Sequence, residues 1–157
     1  MHFSKNKNST LARLFYLIAA KSDCESQYIM ANYYKDENDI QNSILYFEKC
    51  FLNNITMFCS LPPKEKLYVS NSINNLMTFY EDNKDFVKLI NMLKKASFYG
   101  HKSSTEFLGL FYYDLEKYYE AKYYFELCQN QLNGKLKEYY CNLFTDCLFK
   151  LNQLKRT

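Results

Sequence analysis

Two histidines, six cysteines and several clustered carboxylates are the side chains of this 157-residue chain that could do chemistry. Proton transfer needs a histidine or carboxylate within hydrogen-bond reach of the proton it moves. His2 stands at the very start, and His101 follows Gly100 in what reads as a turn. No Ser or Cys carries a flanking nucleophile motif. Asp36, Glu37 and Asp39, like Asp82 and Asp85, are close enough to suggest acid–base pairs. They fall in polar breaks between apolar stretches, where capping of helix starts and solvation account for them. No catalytic residue is assigned, and a non-enzymatic protein is expected.

The cysteines are Cys24, Cys50, Cys59, Cys128, Cys141 and Cys147. None forms a C-x-x-C pair, the close ligand spacing by which structural zinc sites declare themselves, so no metal is expected. An even count permits a disulfide framework, but a chain of this length can build a core without staples. The expectation is six reduced thiols, mostly packed as small hydrophobes. Cys141 and Cys147 are six apart and point to different faces of a helix. Gly100, Gly109 and Gly134 are isolated, which excludes a glycine-rich phosphate loop, and no cofactor is expected.

Lys64, Lys66, Lys94, Lys95, Lys135, Lys137, Lys155 and Arg156 are spread along the chain rather than striped, and the net charge is only +3. Nucleic acid is therefore not an expected partner. Near the start, Lys5, Lys7 and Arg13 precede the short apolar run Leu14-Phe15-Tyr16-Leu17-Ile18-Ala19-Ala20. That order is signal-peptide-like, but no A-x-A site closes it, and it is read as a structural helix. An intracellular, cytoplasmic protein is expected, with export as the alternative. No apolar run approaches the roughly 18 residues that a membrane span needs.

The elements that must position these residues are helices. Hydrophobic residues make up 48% and charged residues 24%, a globular balance for one domain. Only 3 Gly and 2 Pro argue against most all-β folds. Aromatics reach 18% with 0 Trp, so tyrosine and phenylalanine rings must fill much of the core. Self-comparison then shows repeats. Tyr28–Tyr34 aligns with Glu106–Tyr112 without a gap. Ile40, Ser43, Tyr46, Phe47 and Cys50 align at the same offset with Tyr118, Ala121, Tyr124, Phe125 and Cys128. A displaced middle copy runs through Leu76–Tyr80 and then Phe86, Leu89, Leu93 and Ala96. A partial copy at the start matches Ala12, Tyr16 and Ala19 to the spacing of Ala121, Phe125 and Cys128.

Each copy has apolar residues at helical spacing, a polar break and a second helical stripe, which is an antiparallel helix pair. Small residues face each other across the outer pairs, Ala31 with Ser43 and Gly109 with Ala121, and allow close approach. Met77 and Leu89 stand at those places in the middle copy, which should pack differently. Helices are expected over 9–20, 24–35, 38–53, 63–81, 84–99, 103–113, 116–131 and 134–152. Residues 54–62 are expected to be the main irregular connection, ending at Leu61-Pro62-Pro63.

Leu108-Gly109-x-x-Tyr112 followed by Tyr118-x-x-Ala121-x-x-x-Phe125-x-x-Cys128 resembles a tetratricopeptide unit, with Cys in place of the usual final Ala. Lys95–Lys102, leading into Phe107-Leu108-Gly109, resembles the Sel-one-like subclass, in which a Gly-His turn opens the next unit. The resemblance covers about residues 10–130. It implies an all-α fold, an α-solenoid forming a right-handed superhelix of antiparallel helix pairs. A single domain over 9–152 would hold a half repeat at 9–20, repeats at about 24–53, 63–99 and 103–131, and a capping helix at 134–152.

In similar proteins the concave face, lined by first helices, binds extended or helical peptides. The resemblance therefore implies a protein–protein interaction adaptor or scaffold with a protein or peptide partner. Candidate groove residues are those on first helices and off the packing stripe. They are Glu25, Tyr28, Asn32 and Lys35, then Asn71, Asn74, Thr78 and Glu81, then Ser103, Glu106, Leu110 and Tyr113. Asparagine can bond a peptide backbone as donor and acceptor, and tyrosine offers contact area at low entropy cost. The alternative is a structural or oligomerising module, such as a homodimer through Ala12 and Tyr16 of the half repeat, or a fragment of a longer array.

Overall fold

The computed structural model describes residues 7–155 of the chain; His2 and Lys5 lie outside them. Among the described residues the regular structure is all helical, with no strand. Eight α-helices follow one another: α1 (Lys7–Ala19), α2 (Cys24–Asp36), α3 (Ile40–Asn54), α4 (Pro63–Asp82), α5 (Phe86–Phe98), α6 (Lys102–Asp114), α7 (Tyr118–Gln131) and α8 (Gly134–Leu154). They form two compact units divided between Leu89 and Ile90, a division that falls inside α5.

Local chemistry sets the helix limits. Asp23 accepts from the Ser26 N–H at 2.7 Å and caps α2, and Asp39 accepts from the Asn42 N–H at 3.2 Å and caps α3. Asp85 accepts from the Lys88 N–H at 3.1 Å in the first turn of α5. These carboxylates satisfy orphan donors at helix starts. Pro63 opens α4, where a missing N–H costs nothing. Four helices end in the same way. Asn38, Lys84, Gly100 and Glu116 adopt positive φ of 59°, 57°, 90° and 58°. At each, the next residue's N–H reaches back over the turn, as in Asp39 N–H to Tyr34 O at 2.9 Å and His101 N–H to Ala96 O at 3.0 Å. This left-handed cap closes the last turn and reverses the chain in a few residues.

One connection differs from the reading of the sequence. Residues 54–62, expected to be irregular, hold a 3₁₀ helix at Ile55–Ser60 directly after α3. Its three-residue repeat puts Ile55 and Phe58 on one side, and both are buried. Apolar anchoring, not a flexible link, thus joins α3 to α4.

In the first unit α1 packs on α2, α2 on α3 and α3 on α4, and α2 also meets α4. Met30, Ala31, Phe47, Cys50, Ile55, Val69, Ile73 and Leu76 are at most 1% exposed and form its core. Ser43 Oγ donates to Ala31 O at 2.9 Å, so α2 and α3 touch at their small residues. Gln27 Nε2 donates to Ala20 O at 3.2 Å and ties α2 to the end of α1. In the second unit α6 packs on α7 and α7 on α8, around Leu108, Ala121, Phe125, Cys128 and Cys147. A Cβ on Gly109 would lie 2.7 Å from Phe125 Cε1, closer than packed atoms tolerate, so glycine is required for this approach.

Candidate functional site

The candidate residues lie on α2, α4 and α6. In the first unit several of them join α2 to α4. Glu25 Oε1 accepts from Lys64 Nζ and from Tyr68 OH, each at 2.9 Å. These two donors hold the Glu25 carboxyl below its ordinary pKa. The Tyr28 ring lies 5.1 Å from that of Tyr68 and 6.0 Å from that of Phe47. Lys35 Nζ donates to Asn75 Oδ1 at 2.7 Å and sits over the Phe79 ring. Asn32 Nδ2 donates to its own helix at Tyr28 O, 2.8 Å away. Asn71 is half-buried, while Asn74, Thr78 and Glu81 are exposed. Thr78 Oγ1 donates to Asn74 O at 3.3 Å.

The second unit shows matching contacts between α6 and α8. Glu106 accepts from Tyr140 OH at 3.1 Å. Tyr113 OH donates to Asp146 and accepts from Lys150 Nζ at 2.7 Å, and Lys150 also pairs with Asp146 at 3.1 Å. Lys150 Nζ lies 4.4 Å from the centre of the Tyr113 ring. The bond to Asp146 pushes the Tyr113 phenol up, and the bonds from Tyr113 and Lys150 hold Asp146 down. Leu110 is half-buried and Ser103 exposed.

The correspondence follows the repeat. Lys35 aligns with Tyr113, and each reaches the next alternate helix, at Asn75 and at Asp146. Phe47 aligns with Phe125, and both are fully buried between the second helix of a pair and the helix after it. Phe47 meets the Tyr28 and Phe79 rings, and Phe125 meets those of Tyr113 and Tyr140. Seven of the twelve proposed contact residues, Thr78 among them, therefore have side chains engaged within the protein. The exposed candidates are Lys35, Asn74, Thr78, Glu81 and Ser103.

Other arrangements escaped the reading of the sequence. Tyr34 stacks on Tyr46 with ring centres 5.5 Å apart, and Tyr112 on Tyr124 at 5.7 Å. A cation from the preceding helix stands over each stack, Arg13 over Tyr33 and Tyr34, and Lys94 over Tyr112. Beside the second stack is an open depression of about 280 Å³, lined by Lys94, Tyr112, Tyr119, Glu120, Tyr123 and Tyr124. The alignment of Tyr34 with Tyr112 and of Tyr46 with Tyr124 carried this signal; the cations did not align by spacing alone.

His101 is 6% exposed at the start of α6, with Nδ1 2.7 Å from Ser104 Oγ. Burial pulls its pKa down to about 4. It is neutral at pH 7 and serves the turn between α5 and α6. The six cysteines are thiols, four of them buried, with Cys141 half-buried and Cys59 exposed. Among the described residues no three His, Cys, Asp or Glu side chains cluster as a metal site. No helix among them is long and apolar enough to cross a membrane. No protein-family model, curated protein or solved structure matches the chain.

Proposed function

We propose that the chain is a tetratricopeptide-like, Sel-one-like solenoid that acts without catalysis as an interaction adaptor, binding a peptide or protein segment on the face of its first helices. The carrying observation is that alternate helices meet in each unit, α2 with α4 and α6 with α8, and that Lys35 and Tyr113, which align in the repeat, each make such a contact. Stacking of this kind puts first helices side by side and leaves their remaining face to a ligand. On α4 that face offers Asn74, Thr78 and Glu81, polar side chains that can bond an extended backbone.

A peptide-display selection on the whole chain tests the reading. One family of related peptides should be enriched. Asn74→Glu combined with Thr78→Arg should weaken its binding by about 30-fold, the effect of losing a contact worth roughly 2 kcal/mol. Stability should change by no more than about 0.5 kcal/mol, as for other surface substitutions. Undiminished binding by the double variant would defeat the first-helix assignment.

A second reading, an oligomerising module, draws on α1. The sequence pointed to Ala12 and Tyr16 as its contact, and both are half-buried. Leu11, Leu14, Phe15 and Ile18 are instead 51–66% exposed at helical spacing along one face. A sedimenting dimer that dissociates on Phe15→Glu would favour this reading.

A further inference from the structure

Cys24 is the first residue of α2, and Cys50 stands in the last two turns of α3. Their Sγ atoms lie 3.2 Å apart, within reach of an S–H···S hydrogen bond. Both thiols are buried, at 4% and 0% exposure. A disulfide needs about 2.05 Å between sulfurs, so bond formation requires an approach of only about 1 Å. The helices that carry the thiols are already held together a few turns away by Ser43 Oγ on Ala31 O. We propose that Cys24 and Cys50 are a paired redox site that closes into a disulfide clamping α2 to α3 when the protein meets a low-molecular-weight disulfide.

The rest of the chain supplies the contrast. Cys128 occupies the place in α7 that Cys50 occupies in α3, but the partner position holds Lys102 in place of a cysteine. Burial pushes the Cys128 thiol up to about 12 and the Cys147 thiol up to about 11, whereas in the pair the mutual hydrogen bond pushes the Cys24 thiol up and holds the Cys50 thiol down, which makes Cys50 the source of thiolate. The exposed Cys59 has ready access to an oxidant. Only Cys24 and Cys50 combine a thiol with a second thiol in contact, among the described contacts between cysteines.

The chemistry balances with glutathione disulfide as oxidant. One protein thiolate attacks a sulfur of the oxidant, whose S–S bond breaks. The released glutathione thiolate takes up the proton that the protein thiol lost. The second protein thiol, deprotonated in turn, attacks the protein sulfur of the mixed disulfide. The Cys24–Cys50 bond forms, and the second glutathione leaves with that proton. Two protein thiols lose two electrons, and one glutathione disulfide becomes two thiols. Because both sulfurs are buried, the first attack waits on fraying of the first turn of α2, where Cys24 lies.

The bond closes the whole α2–α3 hairpin, a loop whose constraint should raise the melting temperature by about 10 °C. The test equilibrates the full chain in glutathione buffers of graded ratio, then quenches it in acid, alkylates it unfolded and maps its peptides by mass. Expected is a linked Cys24–Cys50 peptide, two hydrogens lighter than its reduced halves, with Cys128 and Cys147 still alkylated. Cys50→Ser should abolish the link and leave Cys24 alkylated or glutathionylated. The oxidised wild type should melt higher than the reduced, and a reductant should remove the gain. Cys24 and Cys50 both alkylated while Cys59 is fully modified would overturn the proposal. So would linkage of either to another cysteine, or an oxidised form that melts no higher than the reduced one.

Discussion

At the scale of single residues, packing explains what the residue types alone did not. Gly109 sits where a Cβ would press on the Phe125 ring, which is fully buried. Alanine gains about 1 kcal/mol over glycine in a helix interior, but overpacking costs about 1–3 kcal/mol. Gly109→Ala should therefore destabilise by up to about 2 kcal/mol in urea unfolding and Gly109→Leu by more, whereas Met77→Leu, at a half-buried site, should stay under about 1.5 kcal/mol. Equal costs at both sites would remove the case for close approach at Gly109. His101 gives a pH signature. Its folded pKa, about 4, lies below the ordinary 6.5 because burial penalises the charged ring. The unfolded chain thus binds the extra proton between those values, and stability present above pH 6.5 drains away as pH falls toward 4. The loss from pH 7 to pH 5 should be about 2 kcal/mol. His101→Gln should flatten that part of the profile, and an unchanged slope would refute the assignment.

At the scale of elements, the expected helices and the structure agree where periodicity is long. All eight helices are legible in the sequence, with ends within about two residues, because each carries an apolar stripe and a polar break. The 3₁₀ helix at Ile55–Ser60 was not legible, since six residues show no helical period and only Ile55 and Phe58 mark its buried side. The candidate face was legible only as a set of positions. Periodicity put Glu25 and Lys35 on α2, but it could not show that Lys64 and Asn75, about forty residues on, would occupy them. Such partners are fixed by helix stacking, which local sequence does not encode. The turns lead to a prediction of their own. Lys84 and Glu116 take a left-handed conformation that costs a side-chain-bearing residue about 1–2 kcal/mol. Glycine relieves it at an entropic cost of about 0.5–1 kcal/mol. Lys84→Gly and Glu116→Gly should each stabilise by about 0.5–1 kcal/mol in thermal melts, while Asn38→Gly should change little, because asparagine tolerates this region. Destabilisation at Lys84 and Glu116 would contradict the cap geometry.

At the scale of the whole molecule, the chain places related contacts in both of its units. Tyr34 stacks on Tyr46 within one helix pair and Tyr112 on Tyr124 within another, each under a cation from the helix before. Lys35 on Asn75 and Tyr113 on Asp146 lie between alternate helices. The proposed adaptor would keep second helices for packing and first helices for a partner, so its ligand should register on the latter. Hydrogen exchange read by mass spectrometry, on the full chain with and without a peptide from the display selection, tests this most directly. Binding on the first helices should slow exchange in α4 around Asn74–Glu81 or in α6 around Ser103–Tyr113, with α3 and α7 unchanged. Slowing confined to α7 around Tyr119–Tyr124, at the tyrosine-lined depression, or to α1 at Leu11–Ile18, would contradict it.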